Sequence, residues 1–164
     1  MEIANENQSA LPPPLDLDLD TVDTSRPLIA HGELVTVQFD KVEPTMSKPK
    51  AGQSPGPMLK LTCKVVSPTK NIKGEPIEAG RVTLIHNIML APSGKGSWEM
   101  VAQNIAQVSQ PHLPGMKLGE FINGGYMQLQ GRSGPAKINY VPEGPDKNGI
   151  NRNAKNEIAA FLKN

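Results

Sequence analysis

The sequence predicts a mainly β fold: a five-stranded barrel with a helix between strands three and four and a short helix at the C-terminus. Three observations predict it. Short segments alternate between apolar and polar residues, which is typical of strands with one buried face. A single long segment carries an apolar stripe of helical period. Fifteen glycines and sixteen prolines indicate many turns, and aromatic residues make up only 4% of the chain.

The first 30 residues differ from the rest in charge. All 17 Lys and Arg residues lie after residue 25, whereas six of the 16 Asp and Glu residues lie before it. The rest of the chain therefore has 17 basic and ten acidic residues, although the whole chain has a formal charge of +1. Pro12–Pro14 and the alternating Leu15–Asp20 have no adjacent turn or partner strand. We predict a disordered acidic leader over residues 1–30, which is solvated, covers the domain's basic face or adds to another protein's sheet.

Two strands are predicted first. Glu33–Asp40 alternates, with Val35, Val37 and Phe39 on its inward face. Pro44–Pro57 contains four prolines and two glycines and is predicted to be an exposed loop. Met58–Val65 forms the second predicted strand, with Leu59, Leu61, Cys63 and Val65 inward and Lys60, Thr62 and Lys64 outward.

The rest of the domain continues with a turn-rich stretch, Ser67–Gly80, and a third predicted strand, Arg81–Leu90. Ser97 is the predicted N-cap of a helix that ends at Gln110, before Pro111. After a loop over 111–125, two more strands are predicted, joined through Gly131–Pro135, and a short helix is predicted at the end of the chain. These three segments are Tyr126–Gln130, Lys137–Val141 and Asn153–Leu162.

This order of elements gives a barrel domain over residues 31–142 and a C-terminal extension over 143–164. A helix between the third and fourth of five strands is the plan of the OB fold, a partly open Greek-key barrel. A small sandwich would give similar local signals.

The residues that could support catalysis or metal binding are scattered. His31, His86 and His112 are far apart in sequence and have no adjacent acidic residues, so each is interpreted as structural. Cys63 is the only cysteine, which excludes an intramolecular disulfide, and it is predicted to be buried. Gly94-Lys95-Gly96 matches neither of the glycine motifs that bind phosphates, GxxxxGK(S/T) and GxGxxG. We therefore expect a protein that is not an enzyme and has no metal or cofactor.

Basic residues are the more informative set. In an OB plan, strands two and three and two flanking loops form a groove for oligonucleotides, and the positions expected there are basic. The aromatic residues Tyr126 and Tyr140 are the predicted stacking positions, whereas Phe39 and Trp98 are predicted to be core and Phe161 to dock the terminal helix. The predicted basic contacts are Lys48, Lys50, Lys60, Lys64, Lys70, Lys73, Arg81, Arg132 and Lys137. Solvated surface lysines are the alternative interpretation.

Three stretches carry a resemblance to a known family: Gly32–Val37, Gly80–Leu84, and Gly131-Arg132 through Lys137–Pro142. They resemble the opening strand, the third strand and the closing hairpin of the phage-encoded single-stranded-DNA-binding proteins of OB fold. The resemblance spans about 110 residues. It implies non-sequence-specific binding of single-stranded DNA in phage replication or recombination. Such proteins often end in an acidic tail, whereas Asn151–Asn164 is mildly basic and the acidic segment lies at the N-terminus.

From the sequence we therefore expect a protein of the host-cell cytoplasm that coats single-stranded DNA. Replication or recombination proteins are possible partners, and self-association into an oligomer is possible. The N-terminus lacks the basic and apolar regions of a signal peptide, and no apolar run is long enough to cross a membrane. The alternative is a phage structural or inhibitory protein that binds another protein through its N-terminal arm.

Overall fold

A computed structural model of the chain describes residues 18–21, 27–48, 54–93 and 96–163. Short 3-10 helices lie at Leu19–Thr21 and Gly125–Leu129. The strands and α-helices, in chain order, are β1 (Glu33–Met46), β2 (Pro57–Val65), β3 (Thr69–Lys70), β4 (Pro76–Ile77), β5 (Thr83–Met89), α1 (Trp98–His112), α2 (Leu118–Ile122), β6 (Ser133–Val141), β7 (Gly144–Pro145), β8 (Asn151–Arg152) and β9 (Lys155–Phe161).

β1 is the central strand of a five-stranded antiparallel sheet. Its first half pairs with β6 over Glu33–Gln38, and its second half pairs with β2 over Val37–Met46. β5 adds to β2 and β9 adds to β6, which gives the order β5-β2-β1-β6-β9. β5 and β9 are the edges and are not hydrogen-bonded to each other, so the sheet is not closed. The prediction of a mainly β fold with five principal strands and few helices is confirmed.

The core lies between the inward face of the sheet and α1. The inward side chains of β2 are buried as the alternation predicts, and Cys63 is fully buried among them. Burial raises the pKa of the Cys63 thiol to about 12. Helix α1 packs Val101, Ile105 and Val108 into the same cluster. Ser97 is its N-cap, as predicted, and accepts a hydrogen bond from the Met100 backbone N–H at 3.3 Å.

A β-bulge in β1 explains why this strand is longer than the sequence predicts. The register with β2 shifts between Phe39 and Lys41, so that Asp40 is the extra residue. The next buried residue is therefore Val42, three positions after Phe39, and the simple alternation ends there. The prediction that the loop begins at Pro44 was wrong, because Pro44 is paired with Leu59 in the β1–β2 ladder. This half of β1 pairs with β2 alone, and proline is tolerated on an open strand edge.

A second bulge explains the incorrect prediction of a C-terminal helix over Asn153–Leu162. This segment contains β9, in which Ala159 is the extra residue opposite β6. The bulge places Ile158 and Phe161 on the same buried face although they are three residues apart. A spacing of three residues also fits one face of a helix, which is why the sequence pattern was misleading. The fifth strand of the sheet is therefore β9, from the predicted extension.

The predicted strand Tyr126–Gln130 was also wrong, because this segment forms the 3-10 helix. In a 3-10 helix residues three apart lie on one side, and Tyr126 and Leu129 are the members that face the core. Gly124 begins the turn with φ +119°. A Cβ at Gly125 would lie 2.7 Å from the Glu120 carbonyl oxygen, so a side chain here would clash with the end of α2.

Two details of α1 differ from the prediction. The helix continues through Pro111 to His112 rather than ending at Gln110. Pro111 lies in the last turn, where its missing N–H costs a single backbone hydrogen bond and disrupts no further turn. Trp98 was predicted to be core, but it is 49% exposed because it precedes the part of the apolar stripe that the sheet covers.

The end of the predicted leader is part of the folded domain. Ile29 is fully buried and forms a β-bridge with Asn71. Its backbone N–H donates to Oδ1 of Asn156 at 2.7 Å, and its carbonyl accepts from Nδ2 of the same side chain at 2.9 Å. The predicted disorder of residues 1–30 falls mainly on residues outside those described. No helix in the described ranges is both long and apolar enough to span a membrane.

The bulge in β1 predicts that two single-residue deletions in this strand have opposite consequences. Deleting Asp40 removes the extra residue and leaves Phe39 and Val42 facing inward, so the variant is expected to fold. Deleting Gln38 instead turns Phe39 outward and directs Asp40 into the core. Loss of a buried phenylalanine and burial of a carboxylate should cost about 4 kcal/mol or more.

Urea unfolding of the two deletion variants measures this difference. If the Gln38 deletion is as stable as the Asp40 deletion, the assignment of Asp40 as the extra residue is incorrect.

Candidate nucleic-acid interface

The outward face of β2 carries two lysines. Because alternate residues of a strand point to opposite sides, the burial of Leu61 and Cys63 directs Lys60, Thr62 and Lys64 outward. Lys64 is exposed and Lys60 is half-buried. They are four positions apart along the strand, which corresponds to about 13 Å.

The strands on either side of β2 complete this surface. Lys64 lies opposite Gln38 of β1 and Thr83 of β5. Two residues further back along β2, Thr62 lies opposite Lys41 and Ile85. The outward face of the sheet is thus continuous across β1, β2 and β5.

Lys41 is a member of this surface that the sequence reasoning missed. A strict alternation from Phe39 places residue 41 inward, but the bulge at Asp40 turns it outward, opposite Thr62. The signal that could have found it is the spacing of three between Phe39 and Val42, two apolar residues in an otherwise alternating strand.

Arg81 is held next to Lys64 by the turn before β5. Gly80 has φ +84°, a conformation that favours glycine, and its N–H donates to the Val65 carbonyl at 2.7 Å. The Cε atom of Lys64 passes 3.6 Å from the position of a Cβ on Gly80. The lysine stem therefore lies across this turn, and the exposed Arg81 follows directly. We call Lys41, Lys60, Lys64 and Arg81 the basic face.

The four cations of the basic face are not neutralised by ion pairs. In the described ranges none of them has a carboxylate oxygen within 4.0 Å, whereas Lys70 lies 4.0 Å from Glu33. Glu43 lies opposite Lys60 in the ladder, and Asp40 is the exposed bulge residue. Even if both acids are counted, positive charge exceeds negative charge on this surface.

The remaining predicted basic residues lie in several places. Lys48 is exposed just after β1, and Lys50 lies outside the described residues. Lys137 is exposed on β6 opposite Leu34, on the same side of the sheet as the basic face. Lys70 and Lys73 belong to the β3–β4 hairpin, beside the end of the leader.

Arg132 does not belong to the basic face. Its Nε donates to the Gln128 carbonyl at 3.0 Å, and it lines a cavity of about 430 Å³ with His112 and Glu120. In the β6 alternation, Arg132 has the same parity as the buried Ala136. The structure therefore separates Arg132 from Lys60 and Lys64.

The two predicted stacking tyrosines also lie away from the basic face. The ring of Tyr126 packs edge-on against Phe121, with centroids 5.9 Å apart. Tyr140 has the parity of the buried Ile138, and its backbone N–H donates to Nδ1 of His31 at 3.1 Å. Both tyrosines are half-buried. Neither is placed next to Lys60 or Lys64.

The histidines are built into the structure at separate points. His112 is buried, its ring lies 4.9 Å from that of Phe39, and its Nε2 has no hydrogen-bond partner. His86 is half-buried against Phe161, with ring centroids 5.2 Å apart. No three His, Cys, Asp or Glu side chains form a potential metal site within the described part of the chain.

Neither a protein family model nor a curated protein sequence matches this chain.

Burial of His112 predicts that acid destabilises the fold. Burial, and secondly the positive charge of Arg132, lower the pKa of His112 below its ordinary value of 6.5. The unfolded chain therefore binds a proton here more readily than the folded chain. The stabilisation is complete above pH 6.5 and is lost as the pH falls from there towards the folded pKa.

His112→Phe should reduce this loss, because a phenyl ring cannot be protonated. Urea unfolding at about pH 7.5 and about pH 5 measures the effect, since few carboxylates titrate in that interval. The control is His31→Gln, which changes an exposed histidine and supplies an amide oxygen in place of the Nδ1 atom that accepts from the Tyr140 N–H. Equal acid sensitivity of H112F and the unchanged chain would show that His112 is not responsible.

Proposed function

We propose that the protein binds single-stranded DNA without strong sequence preference, through the basic face of an OB-like barrel. The observation that carries the proposal is the set of four cations, without ion-pair partners among the described residues, on one outward surface formed by β1, β2 and the turn before β5. A nucleic-acid strand presents a regular series of phosphate charges, and release of its counterions supplies much of the binding free energy.

The strand order supports the barrel part of the proposal. The sheet order β5-β2-β1-β6-β9 makes its two edge strands parallel to each other, since every neighbouring pair is antiparallel. The rings of His86 on β5 and Phe161 on β9 approach to 5.2 Å. This contact between side chains of the two edge strands supports a curled, barrel-like sheet. α1 lies between the third and fourth of the five strands, as in the OB plan.

The position of the basic face also agrees with the OB plan. β2 and β5 are the second and third strands of the five, and these strands form the centre of the ligand groove in OB domains. Lys60 and Lys64 lie along β2, and Arg81 lies two residues before the start of β5. Their side chains reach phosphates rather than base edges, which favours binding that depends little on sequence.

The biological setting follows from the resemblance to the phage-encoded single-stranded-DNA-binding proteins. Two of the stretches that carry it, Gly32–Val37 and Gly80–Leu84, contain the start of β1 and the turn that positions Arg81. The proposal therefore includes a role in phage replication or recombination in the host cytoplasm. The alternative of a protein-binding arm concerns residues 1–30, most of which lie outside the described residues.

The salt dependence of binding tests this proposal. Each phosphate contact on a single strand contributes about −0.7 to the slope of log K against log salt concentration. The double variant Lys60→Ala/Lys64→Ala should therefore bind oligo-dT more weakly, and its slope should be less steep by about 1.4. Fluorescence anisotropy of labelled oligo-dT over a series of salt concentrations measures both quantities.

The matched control is Lys117→Ala/Lys163→Ala, which removes two exposed lysines outside the basic face. This variant should keep the slope of the unchanged chain. Equal slopes for the two double variants would contradict the assignment of the basic face, and absence of binding at low salt would contradict the proposed function. Double-stranded DNA added as a competitor at equal nucleotide concentration should displace the labelled oligo-dT poorly.

A further inference from the structure

The aromatic side chains are divided sharply by exposure. The chain has six aromatic residues: three phenylalanines, two tyrosines and one tryptophan. Phe39, Phe121 and Phe161 are buried, and the two tyrosines are half-buried. Trp98 is 49% exposed and is the only one of the six that is largely accessible to solvent.

The backbone at Trp98 is anchored although the side chain is exposed. It is the first residue of α1, directly after the N-cap Ser97. Val101 and Ile105, one and two turns later, are buried and attach the helix to the core. The tryptophan therefore projects from the anchored start of a 15-residue helix, beside Met100, which is 55% exposed.

The β1–β2 loop and the segment from β5 to α1 leave the sheet at the same end. Met46 at the end of β1 lies opposite Pro57 at the start of β2. The Leu90 N–H, just after β5, donates to the Pro57 carbonyl at 2.9 Å. The loop that begins with Lys48 and the segment that leads to Trp98 thus start beside each other. Lys60 lies three residues along β2 from Pro57, so the basic face extends towards this end.

We propose that Trp98 is the stacking platform for a base of the single strand that crosses the basic face. This inference rests on the proposed function and identifies a contact that it does not specify. Stacking on an indole requires an exposed ring, and it accepts every base because each base has a π-face. A base stacked on Trp98 would cover the exposed part of its ring.

The intrinsic tryptophan fluorescence of the protein reports on Trp98 alone, because it is the only tryptophan in the chain. Its fluorescence should be quenched when unlabelled oligo-dT is added. Trp98→Leu should weaken binding on the order of tenfold, which lies within the range measured for loss of one base-stacking contact. Trp98→Phe should bind with intermediate affinity because it retains an aromatic ring.

The salt series separates this role from that of the basic face. Stacking involves no phosphate, so Trp98→Leu should lower affinity at every salt concentration and leave the slope unchanged. Met100→Ala, which changes the exposed neighbour, is the matched control and should bind as the unchanged chain does. Unfolding midpoints of all variants should agree, because neither side chain is buried.

The outcomes distinguish the two proposals. If Trp98→Leu binds labelled oligo-dT as tightly as the unchanged chain and tryptophan fluorescence does not respond, Trp98 is not a stacking residue, while the basic-face proposal stands. If the unchanged chain does not bind oligo-dT at low salt, both proposals are overturned. If Trp98→Leu and Met100→Ala weaken binding equally, the contact is a general apolar one and base stacking is rejected.

Discussion

The pairing of β1 with two neighbours is the interaction on which the rest of the structure depends. Its first half forms a ladder with β6 and its second half forms a ladder with β2, and the bulge at Asp40 lies just beyond the point where the two ladders overlap. Phe39 lies beside this bulge and is fully buried, in ring contact with His112 of α1 and Phe161 of β9. The same strand therefore determines the sheet order and provides the buried residue against which α1 and β9 pack.

The bulge has a second consequence, because it determines which side chains face outward. A bulge adds one residue to a strand and changes the parity of those that follow. Val42 is kept in the core and Lys41 is placed opposite Thr62 on the outer surface. Positive charge is thereby added to the basic face by the same irregularity that keeps the core intact.

Regular alternation made the inward residues of β2 predictable from the sequence, and Cys63 is buried as expected. In β5 both alternating sets contain apolar residues, so the sequence did not show which of them faces the core. Ser97 was predictable as an N-cap because serine is preferred at this position, where its hydroxyl accepts a hydrogen bond from a first-turn N–H. The irregular elements were not predictable in the same way. At Ala159 the extra residue gives a strand the spacing of a helix, and at Gly125 the backbone approaches Glu120 too closely for a side chain, a tertiary contact that the sequence pattern does not contain.

The candidate site was predictable where it depends on strand parity alone. Lys60 and Lys64 follow directly from the alternation of β2, and Lys137 follows from that of β6. The positions of Arg132, Tyr126 and Tyr140 depend on tertiary packing that the sequence pattern does not contain, and the structure places them away from Lys60 and Lys64. Trp98 belongs to the apolar stripe of α1 and was therefore predicted to be core. The stripe does not show which of its residues the sheet covers, and Trp98 is exposed.

The central claim is that the outward face of β2 and its neighbours contacts the nucleic acid. Backbone amide chemical shifts, followed by NMR during titration with oligo-dT, test this claim directly because they report every strand at once. The account predicts that the largest changes occur in β2, in β5 and around Arg81, with small changes in α2 and in the 3-10 helix at Gly125–Leu129. Changes concentrated at α2 and around Arg132, with β2 unaffected, would contradict it.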